Sequence, residues 1–161
     1  LKINGHSIEV RVYAEDPDNN FMPTSGKIKT LKLSTIKNVR YDFTYFEGDT
    51  ITVNYDPMIG KVIVWAETRA EAIAKLVAAL KETVILGFKT NISFLIACLS
   101  HEAFKKGLVS TSFIAKYQDD LLSDKKSDEL LAAGYLLARL KVLNAENTSN
   151  DPWQGLSNFR I

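Results

Sequence analysis

A chain of 161 residues that is 46% apolar and 24% charged can bury one sizeable core and is too apolar to be disordered. Its formal net charge of +1 excludes a nucleic-acid partner held mainly by bulk electrostatics, and no apolar run approaches the roughly 20 residues that cross a bilayer. The single cysteine, Cys98, lies in an apolar run and has no partner for an internal disulfide, so a buried thiol in a reducing, intracellular compartment is expected.

Residues 7–15 alternate: Ile8, Val10, Val12 and Ala14 take one face, and Glu9, Arg11, Tyr13 and Glu15 the other, the mark of a strand with one buried side. Turn chemistry follows at 16–20, then extended segments at 27–33 and 39–45, with Glu47, Gly48 and Asp49 reading as a tight turn. Residues 51–55 alternate again, and 59–66 are nearly all apolar, as expected of a central strand. The period then changes. Thr68 and Glu71 form a capping-box pattern that opens a helix with Ile73, Leu76, Val77 and Leu80 on one stripe. Asn91 is expected to cap a second helix over 92–99, and Ser100 a short third one ending at Phe104. Strands in a run followed by helices indicate an α+β fold, an antiparallel β-sheet with packed helices. Beyond Leu122 the sequence turns polar and then reads as an amphipathic helix over 128–143. The expected division is a lobe over 1–122 and a C-terminal helical tail over 123–161, made of a linker helix and the start of a further, subunit-joining domain. No initiating methionine or signal peptide opens the sequence, and it stops within strand-like residues, so both ends are expected to be cuts through a longer chain.

Composition and spacing alone name no reaction. Gly5, Gly26, Gly48 and Gly60 are isolated, and one cysteine with two separated histidines, His6 and His101, makes an intrinsic metal site improbable. The informative residue is Arg11. On a mixed charged face it is either a member of exposed cross-strand ion pairs, which contribute little, or a guanidinium that a strand holds toward a cleft to stabilise an oxyanion.

Three motifs favour the second reading. The stretch GHSIEVRVYAEDPDNNFMPTSGKI carries E-x-R-x-x-A-E-D-P followed by F-x-P-x-x-G. The segment EGDTITVNYDPMIGKVIVWAETRAEAIAKL contains Y-D-P-M-I-x-K, and GFKTNISFL fits G-x-x-T-N-x-x-F-L. Together, in this order, they resemble the C-terminal lobe of the biotin carboxylase domain of biotin-dependent carboxylases. VYAEDPDNNFMP and STSFIAKYQDDLL are most similar to the methylcrotonyl-CoA carboxylase branch, with the propionyl-CoA, geranyl-CoA and urea amidolyase branches sharing much of the pattern.

The resemblance implies ATP-dependent carboxylation of biotin by bicarbonate in an enzyme that uses ATP, Mg2+ and carrier-linked biotin. It assigns Arg11 to stabilising the enolate-like ureido oxygen and Thr111 to a segment bordering the nucleotide; Asp56, at the Tyr55-Asp56-Pro57 junction, is expected either to form the turn or to contact Arg11 directly and orient it. Arg40 falls near the self-association surface of the bacterial enzymes, where Lys37 replaces an aromatic. The implied partners are the ATP-grasp lobes of the same chain, a biotin carrier domain and a carboxyltransferase β subunit, with no nucleic acid and no membrane. A mitochondrial matrix or a bacterial cytoplasm both suit it. Phosphate-binding loops and the biotin-bearing lysine belong outside these motifs, so the fragment alone is expected to be inactive. The other reading of the whole is a non-catalytic scaffold or dimerisation lobe.

Overall fold

The alternating segment folds as expected in the computed structural model, which describes residues 2–122 together with Tyr135 and Leu136. It forms β1 (His6–Tyr13), with Ile8 and Val12 buried and Glu9 and Arg11 exposed. Short strands follow: β2 (Glu15–Asp16), β3 (Met22–Pro23), β4 (Gly26–Lys27), β5 (Thr30–Lys32), β6 (Val39–Phe43) and β7 (Thr50–Ile51). The long apolar strand is β8 (Met58–Ala66). After it come α1 (Arg69–Glu82), β9 (Val84–Leu86), α2 (Ile92–Ser100), α3 (Glu102–Lys105) and α4 (Phe113–Leu121). The chain divides into two units, Leu1–Ser127 and Asp128–Ile161, and all these elements belong to the first. The helical tail expected over 123–161 lies outside the described residues.

The fold is α+β with antiparallel pairing throughout. Its strands do not form one sheet. β8 is the centre of a three-stranded sheet in the order β1-β8-β6, and β2–β3, β4–β7 and β5–β9 form separate two-stranded ribbons. The expected strand over 51–55 shortens to its first residue for a physical reason. Ile51 is 1% exposed and reaches the core, whereas Val53 and Tyr55 are 62% and 78% exposed, so nothing rewards continued pairing as the chain turns toward Pro57.

The central sheet is covered on one face by α1. Thr68 caps this helix as its sequence promises: its hydroxyl accepts from the Glu71 amide at 3.3 Å, and the Glu71 carboxylate accepts from the Thr68 amide at 3.2 Å. Ala72, Ile73, Leu76 and Leu80 of the helix then join Ile8, Val12, Val62 and Val64 of the sheet in the main core. β6 can approach β8 closely because residue 60 is glycine. A Cβ there would stand 2.4 Å from the Phe43 ring and 2.7 Å from the Asp42 carbonyl oxygen.

The helical half departs from expectation in three places. Asn91 makes no side-chain cap on α2. Ser100 is the last residue of α2, and α3 is capped instead by His101, whose Nδ1 accepts from the Ala103 amide at 3.2 Å. The helix α4 has no counterpart in the sequence reading, although Phe113, Tyr117 and Leu121 recur every four residues. Phe113 and Leu121 bury against Phe94 and Ala103 in a second, smaller core.

Two substitutions test this packing by urea unfolding. Leu76→Ala empties a fully buried site and should cost about 2–5 kcal/mol. Gly60→Ala forces a methyl group into the β6–β8 contact and should cost about 1–3 kcal/mol. A loss within about 0.5 kcal/mol for either would contradict the packing described.

Candidate functional site

The outer face of the central sheet places charged residues in rows set by strand register. Arg11 stands opposite Lys61, which in turn stands opposite Asp42; Glu9 stands opposite Ile63, which faces Arg40. Like charges directly across a ladder repel, and the carboxylates on this face go to the other two cations. Arg40 holds Asp42 with its Nε 2.9 Å from Oδ1 and its Nη2 2.5 Å from Oδ2. Those hydrogen bonds keep the Asp42 carboxyl below its usual value. Lys61 Nζ lies 3.7 Å from Glu9 Oε1. Arg11 is exposed, and among the described residues its side chain makes no hydrogen bond or ion pair. Ion pairing therefore accounts for Arg40, through Asp42 of its own strand, and for Lys61, through Glu9 across the ladder, but not for Arg11.

The backbone beneath Arg11 is fixed from two sides. On the β8 side the register shifts between Val12 and Tyr13, so that Val12 pairs with Gly60 and Tyr13 with Met58; such irregularities re-aim side chains beside them. On the free side Asn91 reaches the strand. Its Oδ1 accepts from the Tyr13 amide at 2.9 Å, its Nδ2 donates to the Arg11 carbonyl at 3.2 Å, and its own amide donates to the Tyr13 carbonyl at 3.2 Å. The sequence reading missed Asn91 by treating it as a helix cap. The signal available was its place in the G-x-x-T-N run.

The other parts of that run are pinned as well. Lys89 forms an ion pair with Asp16 at 2.8 Å, and its carbonyl accepts from the Thr24 hydroxyl at 2.8 Å. Gly87 has φ 131°, and a Cβ on it would stand 2.0 Å from the Lys27 carbonyl oxygen, so a side chain is excluded twice over. The E-D-P and T-N motifs, distant in sequence, are bound to each other.

The direct contact expected between Arg11 and Asp56 is not formed. Asp56 Oδ1 accepts from the Met58 amide at 2.9 Å and closes the turn into β8, which is the local role open to an aspartate before proline. Its charge acts instead on Glu15, whose carboxyl is raised above its usual value by burial and then by Asp56. Thr111 is exposed on the rim of a largely apolar groove of about 400 Å³, whose walls include Ile8, Val10, Phe94, Cys98 and Phe113. Arg11 adjoins this groove in sequence but does not line it. Burial raises the Cys98 thiol to about 11, so it is not a thiolate nucleophile near neutral pH.

Lys37 and Arg40 stand elsewhere. Lys37 is exposed in the turn before β6, and Arg40 borders a depression of about 360 Å³ with Asn38, Ile63 and Trp65. The two histidines have structural duties. His101 caps α3, and His6 Nε2 lies 3.2 Å from Arg69 Nη1. Among the described residues no three His, Cys, Asp or Glu side chains cluster to hold a metal ion.

Comparison with known proteins gives these residues a context. Residues 9–116 match the family model described as biotin carboxylase C-terminal domain. The mitochondrial methylcrotonoyl-CoA carboxylase subunit alpha of Dictyostelium discoideum is 40% identical over 167 residues, covering 100% of this chain and 24% of that protein. Biotin carboxylase 2 of Bacillus subtilis is 46% identical over 117 residues, 73% of this chain and 26% of that one. Among solved structures, the biotin carboxylase domain of Hydrogenobacter thermophilus 2-oxoglutarate carboxylase, in complex with MgADP, ADP and bicarbonate, superposes with a TM-score of 0.72 at 32% identity. That match covers 75% of this chain and 27% of that one. The chain thus spans about a quarter of the length of the relatives it matches.

Glu15 gives the site a pH signature. Its carboxyl titrates higher in the fold than in the unfolded chain, so folding favours the protonated form, and stability falls as pH rises through the folded value. Glu15→Gln should raise Tm at pH 7, and the gain should vanish well below the ordinary glutamate range. A gain that persists undiminished in acid would contradict this cause.

Proposed function

The chain belongs to the biotin carboxylase C-terminal domain family, and from that membership we propose that, within a longer enzyme, it completes the site where biotin is carboxylated by bicarbonate at the expense of ATP. The observation that carries the reading is the unpaired, exposed guanidinium of Arg11 on a sheet face whose carboxylates are engaged by other cations. When the biotin ureido nitrogen gives up its proton, negative charge spreads onto the ureido oxygen. The N–H donors of Arg11 then meet a charge that the neutral ground state lacks. Stabilisation of that kind is differential and lowers the barrier instead of merely tightening binding. A guanidinium already engaged by a carboxylate would have to break that pair first.

Asp56 supports this arrangement through the turn it closes before β8, and Thr111 on the groove rim borders the nucleotide side. On this reading residues 1–122 are the lobe, and 123–161 lead into a subunit-joining domain. ATP, Mg2+ and carrier-linked biotin serve the whole enzyme. ATP-grasp lobes, a biotin carrier domain and a carboxyltransferase β subunit are its partners, in a mitochondrial matrix or a bacterial cytoplasm. The similarity to methylcrotonoyl-CoA carboxylase alpha subunits supports an acyl-CoA carboxylase of that branch. Lys37 and Arg40 border the surface through which two such lobes would associate.

In the full-length enzyme, Arg11→Gln should lower the rate of biotin carboxylation by on the order of a hundredfold or more and leave the KM for ATP unchanged. Steady-state kinetics with both substrates varied reads the two separately. An unchanged rate would leave the lobe a scaffold; a lost ATP affinity at full rate would move Arg11 to the nucleotide.

A further inference from the structure

We propose that Asn91 is a positioning residue for Arg11: it holds the backbone on which the guanidinium is mounted, and through it the reaction at the biotin ureido oxygen. The inference rests on the reading of Arg11 given above. β1 is an edge strand, paired with β8 on one side only. Its other edge presents the Arg11 carbonyl and both backbone groups of Tyr13, and Asn91 satisfies all three with its side chain and its amide. One residue thus does the work of a short neighbouring strand. Asn91 is only 6% exposed, and its side-chain bonds to the strand are partly buried.

The location makes this support necessary. β1 ends at Tyr13, and its register with β8 slips between Val12 and Tyr13, one residue past Arg11. Regular pairing with β8 is therefore interrupted just past the residue that must be held. Asn91 clamps the residues on both sides of the slip. Its own anchorage comes from the preceding loop, fixed through the Lys89–Asp16 ion pair and the Thr24 bond to the Lys89 carbonyl.

The chemistry also selects this side chain. The contact needs an acceptor for the Tyr13 amide and a donor for the Arg11 carbonyl, two atoms apart on one planar group, and a carboxamide has both. Aspartate would keep the acceptor and set a second oxygen against the Arg11 carbonyl. Serine would serve one partner at most. Asn91 occupies the N-cap position of α2, where asparagine ordinarily bonds the first helical amides. It makes no such bond here. The side chain is committed to the strand at the expense of its own helix.

The test is a double-mutant cycle in the full-length holoenzyme with Arg11→Gln, Asn91→Asp and the pair together. Asn91→Ser replaces Asn91→Asp throughout if the charged variant does not fold. Three quantities are read: the maximal rate of biotin carboxylation, the KM for ATP, and bicarbonate-dependent ATP hydrolysis without biotin. A positioned group moved by about 1 Å loses on the order of a hundredfold in rate. The Asn91 variant should therefore lose ten- to a hundredfold in biotin carboxylation, with the two ATP readouts unchanged. In the Arg11→Gln background the same substitution should cause no further loss, because the group it positions is gone. An equal loss in both backgrounds, or a parallel fall in ATP hydrolysis, would overturn the positioning role and leave the reading of Arg11 intact. A wild-type rate in Arg11→Gln alone would overturn both.

Discussion

Strand β1 lies at the edge of its sheet, and the groups on its outer edge beside Arg11 must find partners or be buried at a cost. Asn91 supplies those partners from the start of α2. The rest of the lobe can be understood from this contact. To put Asn91 there, the loop before α2 must come down onto β1, which requires the close passage of Gly87 over Lys27 and the tie between Lys89 and Asp16. The capped helix α1 packs on the buried face of the same strand. One face of β1 is closed by the core, one edge by β8 and the other by Asn91. Arg11 emerges from the side left open.

Electrostatics completes what the backbone begins. A surface sheet with alternating charges normally neutralises itself locally, each pair contributing little. Here the register sets Arg11 against Lys61, while Glu9 and Asp42 are drawn to Lys61 and Arg40. The result is a cation mounted on a fixed backbone and not yet neutralised. That is the condition under which a guanidinium responds to charge that develops during a reaction. The carboxyl of Glu15, raised by partial burial and by the charge of Asp56, belongs to the same end of the strand.

Period two in β1, the apolar run of β8 and the capping box of α1 were legible in the sequence because each rests on local chemistry. Arg11 was legible on a polar strand face, and the family motifs singled it out. What was not legible depends on contacts between distant segments. Asn91 reads as a cap because helix-capping geometry is local, whereas its bonds to Arg11 and Tyr13 cross about 80 residues. The Arg11–Asp56 contact was expected from two motifs meeting, and the backbone amide of Met58, two residues away, took the carboxylate first. The strand over 51–55 failed because alternation does not reveal whether a core lies beneath it. The helix α4 was passed over because polar residues dilute its four-residue stripe.

The central claim is that Arg11 is preset, by backbone, to meet the ureido oxygen of biotin. A crystal structure of the full-length enzyme with biotin and bicarbonate tests it most directly. The guanidinium should lie within hydrogen-bond distance of that oxygen, about 2.7–3.2 Å, with the Asn91 contacts to Arg11 and Tyr13 intact. Arg11 paired to a carboxylate of another lobe, with other donors on the ureido oxygen, would contradict it.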